Sequence, residues 1–209
     1  ILVPMLLEKG YNVTVIDNFL FSQQSLLDCC KNENLQIVRG DVRDSEHMIE
    51  LVKGCDYVMH LSSLIAIPYS YNAPRSYVDT NIVGTLNILQ ACRRSDSLIR
   101  LVHVSTSETY GSAQYVPIDE KHPLVGQSPY SASKIASDQI ALSYFKSFEL
   151  PVKIVRPFNT YGPRQSLRAI IPTIISQILD GENEIKLGSL SPTRDLTFVE
   201  DTCSGFEEI

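Results

Sequence analysis

Residues 100–111 read RLVHVSTSETYG, and residues 129–148 read PYSASKIASDQIALSYFKSF; these two segments are the most informative about the fold. The first begins with a β-branched run that predicts a strand over Arg100 to Ser105. The second follows Ser128, an N-cap candidate, and has Pro129 at its first position, which predicts a helix over its whole length. A strand followed by a long helix is the unit from which parallel sheets are built.

The same alternation continues on both sides of this segment. Further strands are predicted at Asn12 to Asp17, Leu35 to Arg39, Asp56 to Leu61 and Val152 to Arg156. Further helices are predicted at Ile1 to Lys9, Ser45 to Lys53, Pro74 to Arg93, Ile170 to Leu179 and from Glu200 to the last residue. Alternating strands and helices predict an α/β fold whose parallel sheet is covered on both faces, that is, a doubly wound sheet.

Composition excludes several classes of protein. The chain has 209 residues, is 44% hydrophobic and carries a formal net charge of −6 with both signs interspersed, so no nucleic-acid partner is expected. No apolar run reaches the roughly 18–20 residues of a membrane-spanning helix. Five cysteines lack metal-ligand spacing, so we predict no metal site and a reduced, cytoplasmic setting. His60 and His103 lie in strand patterns and are predicted to be core residues.

Candidate cofactor residues follow three predicted strands. Asp17 ends the first strand, where a carboxylate can accept both ribose hydroxyls of NAD and repel the additional phosphate of NADP. Because ligands of open α/β sheets bind at the carboxyl ends of strands, we expect the residues after the three strands to line one cofactor site. These candidates are Asp17, Asn18, Asp41, Val42, Leu61, Ser62 and Ser63. Each of them alone also has an ordinary explanation as a turn residue.

The glycine fingerprint that normally accompanies such an acid does not occur in the sequence. The acid lies about 20 residues after the glycines in dinucleotide-binding folds. Counting back from Asp17 places them before Ile1, so we expect a truncated chain that lacks the first strand and the glycine loop. A sugar-nucleotide binding module without catalysis is the alternative that the missing loop leaves open.

Candidate catalytic residues lie in the two stretches quoted first. Thr106, Ser107 and Glu108 follow a strand, and Tyr130 and Lys134 lie one helical turn apart. A tyrosine can remove a hydroxyl proton if nearby positive charge lowers its pKa from about 10, and we expect Lys134 and the positive nicotinamide to supply that charge. Tyr130 and Lys134 are therefore also candidates for binding the cofactor. Thr106 could orient the same hydroxyl, and Glu108 could remove a proton from carbon.

Together with PFNTYGPR (157–164) and RDLTFVED (194–201), these residues resemble the extended short-chain dehydrogenase/reductase family of nucleotide-sugar enzymes. The resemblance covers essentially the whole chain. It implies a Rossmann-type NAD-binding domain over 1–160 and the beginning of an interleaved substrate-binding region over 161–209. It also implies that a nucleotide-sugar diphosphate is held by Asn159, Arg164 and Arg194, although a surface role for Arg164 is an equal alternative.

Two other segments narrow the resemblance. LIAIPYSY (64–71) and PIDEKHPL (117–124) are most similar to NAD-dependent 4,6-dehydratases of nucleotide-activated N-acetylglucosamine. This implies oxidation at carbon 4 of the sugar with Tyr130 as base, removal of the carbon-5 proton by Glu108, loss of water from carbon 6 and return of the hydride to carbon 6. The product would be a 4-keto-6-deoxy sugar nucleotide.

One departure keeps alternatives open. Many sugar dehydratases carry Asp-Glu after the threonine, whereas this chain has Ser107-Glu108. The Thr-Ser-Glu version also resembles GDP-mannose dehydratases and UDP-glucuronate decarboxylases, and a 4-epimerase would not need Glu108. The family further implies a homodimer formed through the helices at 74–93 and 129–148.

Overall fold

The protein is described by a computed structural model that covers residues 1–20 and 25–209. Its strands are β1 (Val13–Asp17), β2 (Leu35–Arg39), β3 (Tyr57–His60), β4 (Arg100–Val104), β5 (Val152–Val155), β6 (Asn159–Tyr161) and β7 (Leu196–Phe198). Its helices are α1 (Leu2–Glu8), α2 (Ser45–Val52), α3 (Ile67–Asn72), α4 (Pro74–Tyr77), α5 (Gly84–Arg93), α6 (Pro129–Phe148), α7 (Ile170–Leu179) and α8 (Val199–Glu208). The predicted alternation of strands and helices is confirmed.

Every strand pairs in parallel, as predicted. β1 pairs with β2, β4 lies between β3 and β5, and β6 pairs with β7. Within residues 1–20 and 25–209, no hydrogen-bonded ladder joins β1 to β3. Because parallel strands end at the same edge of a sheet, the residues that follow β1 and β2 are neighbours, and so are those that follow β3, β4 and β5.

The core lies between the three-stranded sheet and a helical layer. Met48 of α2, Leu89 of α5, Leu101 of β4 and Ala141 of α6 are buried within one apolar cluster. Burying a Leu or Met side chain stabilises a fold by about 1.5–3 kcal/mol. The cluster therefore fixes α6 against β4, and these are the two elements that carry the candidate catalytic residues.

Helix α6 begins and ends where the sequence predicts. Ser128 Oγ accepts a hydrogen bond from the Ser131 backbone N–H at 3.1 Å, and Ser131 Oγ accepts one from the Ser128 N–H at 2.9 Å. This reciprocal capping box satisfies two backbone donors at the start of the helix. Glu149 then ends the helix in the left-handed conformation, with φ 55°.

The single helix predicted over 74–93 is wrong in one respect. The chain forms α4, then a π-helical segment over Val78–Val83, and then α5. Asn81, in the π-helical segment, binds both backbone groups of Leu64, with Asn81 Oδ1 to Leu64 N at 2.8 Å and Asn81 Nδ2 to Leu64 O at 3.0 Å. Periodicity cannot reveal this interruption, because it accompanies a contact with a distant loop.

Two further predictions concern which histidines lie in the core and where the boundary between the two domains falls. His60 and His103 are both buried, so their prediction as core residues is confirmed. The boundary between 1–160 and 161–209 stays a prediction, and β6 spans it.

In the described part of the chain, no helix has both the length and the hydrophobicity needed to cross a bilayer.

Candidate active site

The turn after β4 carries three of the candidate residues. Thr106 Oγ1 accepts a hydrogen bond from the Glu108 backbone N–H at 3.2 Å and caps a 3₁₀ turn over Ser107–Tyr110. Gly111 closes this turn with φ +64°, and a Cβ there would lie 2.9 Å from the Val125 carbonyl oxygen. Only glycine fits both conditions, so the local backbone fixes where Thr106 and Glu108 project. We call Thr106–Tyr110 the catalytic turn.

Tyr130 approaches the catalytic turn from the first turn of α6. Its side chain is buried, and its phenol lies near enough to Thr106 for the threonine hydroxyl to act on its pKa. Glu108 lies near enough for its charge to act on the same phenol. The structure therefore brings together Thr106, Glu108 and Tyr130, as the sequence predicts. Ser107 lies half-buried between the first two in the chain.

The expected effect of Lys134 on the pKa of Tyr130 stays a prediction. Burial raises the pKa of Tyr130 above its usual value, the nearby Thr106 hydroxyl opposes this shift, and the charge of Glu108 adds to it. Lys134 Nζ donates a hydrogen bond to the Val104 carbonyl oxygen, at 2.8 Å. The spacing of Tyr and Lys on a helix fixes their shared face, but it does not fix which oxygen the long lysine side chain reaches.

Lys134 is itself perturbed. The residue is 3% exposed, and burial lowers the pKa of its ammonium to about 8, while the carboxylate of Asp138 acts in the opposite direction. A lysine with such a pKa is still mainly protonated at neutral pH. The catalytic turn, Tyr130 and this buried cation together form a site suited to proton transfer from a hydroxyl and from carbon.

Three of the candidate cofactor residues meet at the ends of β1 and β2. Asn18 Nδ2 donates to Asp41 Oδ2 at 3.2 Å, and Asp17 Oδ1 accepts from the Phe19 backbone N–H at 2.7 Å. Arg43 donates to both carboxylate oxygens of Asp41, at 2.9 and 2.7 Å. Hydrogen bonding to Arg43 holds the pKa of Asp41 well below its usual range. Two carboxylates thus lie at the ends of neighbouring parallel strands, and their role in binding a cofactor stays a prediction.

The remaining cofactor candidates differ from one another in environment. Val42 is buried in the core, so only its backbone remains able to contact a ligand. Leu61 is exposed after β3, and Ser62 and Ser63 are half-buried beside it. The loop that they begin is tied to α6, because Asn81 holds Leu64 and also donates to Ser133 Oγ, at 2.9 Å.

The residues predicted to hold the diphosphate have different hydrogen-bond partners. Arg164 pairs with the Asp28 carboxylate and donates to the Ser25 carbonyl oxygen at 2.7 Å, whereas the exposed Arg194 donates to Thr193 O at 2.8 Å. Asn159 is half-buried at the start of β6. No hydrogen bond joins the three residues within 1–20 and 25–209. Their binding role stays a prediction, and for Arg164 the contact with Asp28 favours the surface alternative.

Sequence reasoning missed several residues that shape this site. Arg43 holds the Asp41 carboxylate by hydrogen bonds, and Asn81 joins the loop after β3 to α6. Asp138 opposes the lowering of the Lys134 pKa that burial causes. The available signal was polarity: Asn81 and Asp138 are polar residues on helices that the sequence already placed against the core. Over 1–20 and 25–209 there is no group of three or more His, Cys, Asp or Glu side chains arranged to hold a metal ion.

Comparison with known proteins identifies the class to which this fold and site belong. The family model for GDP-mannose 4,6 dehydratase matches residues 1–209. The chain belongs to this family, the extended short-chain dehydrogenase/reductases that include nucleotide-sugar dehydratases and epimerases, which confirms the resemblance and the Rossmann-type α/β fold.

Individual relatives are similar to most of the chain. A dTDP-glucose 4,6-dehydratase of Streptomyces antibioticus is 34% identical over 195 residues, covering 93% of this chain, and the chain spans only 58% of that relative's length. A DesIV dTDP-glucose 4,6-dehydratase double mutant from Streptomyces venezuelae, solved with NAD bound, is 31% identical with a TM-score of 0.90, covering 98% of this chain and 66% of that one.

An epimerase is equally similar in structure. The UDP-N-acetylglucosamine 4-epimerase of Methanobrevibacter ruminantium, in complex with UDP-N-acetylmuramic acid, is 30% identical with a TM-score of 0.92, covering 99% of this chain and 67% of that one. Overall structural similarity therefore does not separate dehydration from epimerisation. That distinction must come from the residues of the site.

Proposed function

We propose that the chain forms the cofactor-binding and catalytic part of an NAD-dependent nucleotide-sugar 4,6-dehydratase. This proposal rests mainly on Glu108, which lies in the catalytic turn and near enough to Tyr130 for its charge to act on the phenol. An epimerase needs a base for the sugar hydroxyl but no second base for a carbon proton. A carboxylate beside the tyrosine is the additional group that dehydration requires.

The roles of the residues follow from their positions. Tyr130, with Thr106 near its phenol, would take the proton of the sugar 4-hydroxyl as carbon 4 is oxidised. The resulting ketone acidifies the proton on carbon 5, and Glu108 would remove that proton as hydroxide leaves carbon 6. The departing hydroxide requires one proton, and Ser107 and Glu108 are the groups of the catalytic turn available to deliver it.

The donor set fits NAD. Asp17 and Asp41 place two carboxylates at the ends of neighbouring strands, which suits ribose hydroxyls and an adenine amino group and opposes the 2′-phosphate of NADP. Lys134 is a buried ammonium close to Tyr130 in the chain, where it could also donate to the ribose on the nicotinamide side. NAD would supply the acceptor for the carbon-4 hydride and return that hydride to carbon 6.

Within this reaction we propose N-acetylglucosamine linked to UDP or GDP as the substrate. The support is the similarity of residues 64–71 and 117–124 to dehydratases of that sugar. The curated relatives described above are named for dTDP-glucose, so this donor is the first competitor. UDP-glucuronate decarboxylation remains a second candidate function, because it is compatible with the Thr106-Ser107-Glu108 order.

Mass spectrometry of the products tests the proposal. The full-length protein is incubated with NAD and, separately, UDP-N-acetylglucosamine, GDP-N-acetylglucosamine, dTDP-glucose and UDP-glucuronate. We expect a product lighter by one water from an N-acetylglucosamine donor, and a loss of about 100-fold or more in its rate of formation with Glu108→Gln. Glu120→Gln is the matched control, because Glu120 is exposed and lies in the loop after the catalytic turn.

Other products would point elsewhere. Release of carbon dioxide from UDP-glucuronate would identify a decarboxylase. An isomer of unchanged mass, formed equally well by Glu108→Gln, would identify a 4-epimerase. Bound NAD with no product from any donor would favour the non-catalytic binding module.

A homodimer is part of the same proposal. Val78 and Val83 of the π-helical segment and Phe145 and Phe148 of α6 are exposed apolar side chains on the helices through which the family resemblance implies dimerisation. We expect light scattering of the full-length protein to give twice the monomer mass, and Phe145→Asp to lower it. Leu190→Asp places the same charge at an exposed apolar position outside these helices and should leave the mass unchanged.

A cytoplasmic location is the last element of the proposal. All five cysteines are free thiols, and two of them, Cys92 and Cys203, are buried. Burial raises the pKa of Cys92 to about 12, so this thiol is unreactive. Fractionation of cells producing a tagged protein would test the location, and recovery outside the cytoplasm would contradict it.

A further inference from the structure

Helix α6 carries a completely buried carboxylate one turn beyond Lys134. Asp138 is 0% exposed, and each of its oxygens has a different partner. Oδ1 lies 3.2 Å from His103 Nε2, and Oδ2 accepts a hydrogen bond from Arg156 Nε at 2.9 Å. A carboxylate in such a position destabilises the fold unless it is both paired and hydrogen-bonded.

Arg156 is the cationic partner of this carboxylate. Burial lowers the pKa of His103 below its usual value, which favours the neutral imidazole. The guanidinium of Arg156 stays charged at all relevant pH values, and it reaches Asp138 from the residue immediately after β5. The pair therefore joins α6 to the end of a neighbouring strand through a charged hydrogen bond.

The same guanidinium also reaches the catalytic turn. Arg156 Nη1 donates to the Tyr110 hydroxyl at 3.2 Å, and its carbon Cζ lies 5.3 Å from the centre of the Tyr110 ring. Tyr110 is buried and is the last residue of the 3₁₀ turn, two residues after Glu108. A continuous path of contacts thus runs from α6 through Asp138, Arg156 and Tyr110 to the turn that holds Glu108.

We propose that Asp138, Arg156 and Tyr110 are positioning residues that hold Glu108 in register with Tyr130. Tyr130 lies on the helix that carries Asp138, and Glu108 lies on the turn that ends at Tyr110. We call the contacts from Asp138 through Arg156 to Tyr110 the bridge. A change in its length would shift Glu108 relative to Tyr130, while Glu108 stays in the catalytic turn and Tyr130 stays in α6. The inference rests on the proposed dehydratase function, and it predicts a selective effect on the step that needs Glu108.

Removing one hydroxyl tests this bridge with little risk to folding. Tyr110→Phe keeps the buried ring and the contact of Arg156 with its face, but it deletes the hydrogen bond. Tyr115→Phe is the matched control, because Tyr115 also bonds through its hydroxyl, to Asp119 at 2.8 Å, but lies outside the bridge. Arg156→Lys is the second variant, since a lysine keeps the charge beside Asp138 and cannot serve both partners in the geometry of the guanidinium.

The measurement separates the two chemical steps in single turnovers of the full-length protein with NAD and the sugar nucleotide. Absorbance of the reduced cofactor reports oxidation at carbon 4, and quenched samples report loss of water. For Tyr110→Phe and Arg156→Lys we expect loss of water to slow by about tenfold while oxidation at carbon 4 stays within about twofold of the wild type. The reduced cofactor should then accumulate in both variants and not in Tyr115→Phe.

Several results would overturn the inference. If oxidation at carbon 4 and loss of water slow equally, the bridge has only a general structural role. If Tyr110→Phe and Arg156→Lys react at wild-type rates, the bridge has no role in catalysis. If the wild type loses water and the variants match it, only the positioning inference fails. If the wild type itself releases no water from any donor, the proposed function fails together with the inference.

Discussion

At the residue scale, the most informative side chain is the buried ammonium of Lys134. It donates a hydrogen bond to the carbonyl oxygen at the end of β4, and the residue is only 3% exposed. Burial disfavours its charge, and Asp138 partly compensates. Sequence spacing predicted that this lysine lies beside the site. It did not predict the hydrogen bond to Val104 or the lowered pKa of Lys134, because both depend on the conformation of the long side chain.

The perturbed pKa of Lys134 predicts how stability changes with pH. In the folded protein this ammonium releases its proton near pH 8, whereas the unfolded chain keeps it up to the ordinary value of 10.5. The unfolded state therefore binds more protons in this window, and the free energy of unfolding contributed by this residue increases as pH rises from about 8 to about 10. Below about pH 8 this contribution is constant and unfavourable.

Denaturant titrations at several pH values measure this effect. As the pH rises from about 7.5 to about 9.5, the free energy of unfolding of the wild type should increase relative to that of Lys134→Met. Lys153→Met is a control on the surface of β5, and its difference from the wild type should not follow this course. Parallel stability curves for the wild type and Lys134→Met would contradict the perturbed titration.

At the scale of elements, α6 and the catalytic turn form one arrangement. The capping box at Ser128 and Ser131 fixes where the helix starts, and therefore where Tyr130 points. The sequence was sufficient here, because capping residues and a first-turn proline act locally. It was insufficient for residues 74–93, where the π-helical segment accompanies the contact between Asn81 and Leu64.

Loss of the helix cap should be measurable. Ser128→Ala removes the acceptor for the Ser131 N–H, and we expect the free energy of unfolding to fall by about 1 kcal/mol. Because the same change loosens the helix start at Tyr130, the rate of sugar oxidation should fall as well. Ser143→Ala in the exposed middle of α6 is the control and should change stability by less than about 0.5 kcal/mol. Equal stability of the two variants in thermal and denaturant unfolding would show that the cap is unimportant.

At the scale of the whole molecule, parallel strands bring distant residues to common edges. Asp17 ends β1 and Asp41 follows the neighbouring strand β2, while Thr106 and Glu108 lie beyond β4 near Tyr130. The alternation of strands and helices predicted these groupings, since direction and order suffice to place strand ends. The contact of Arg164 with Asp28 was unpredictable, because it joins segments far apart in the sequence through two exposed loops.

In the proposed reaction, Glu108 removes a proton from carbon 5 of a sugar nucleotide. The most direct measurement is the reaction of the full-length protein in deuterium oxide with NAD and an N-acetylglucosamine nucleotide, followed by mass spectrometry and NMR of the product. We predict a product that has lost water and carries deuterium at carbon 5, and its loss in Glu108→Gln. A dehydrated product formed at the wild-type rate by Glu108→Gln, or a product with unexchanged hydrogen at carbon 5, would contradict the assignment.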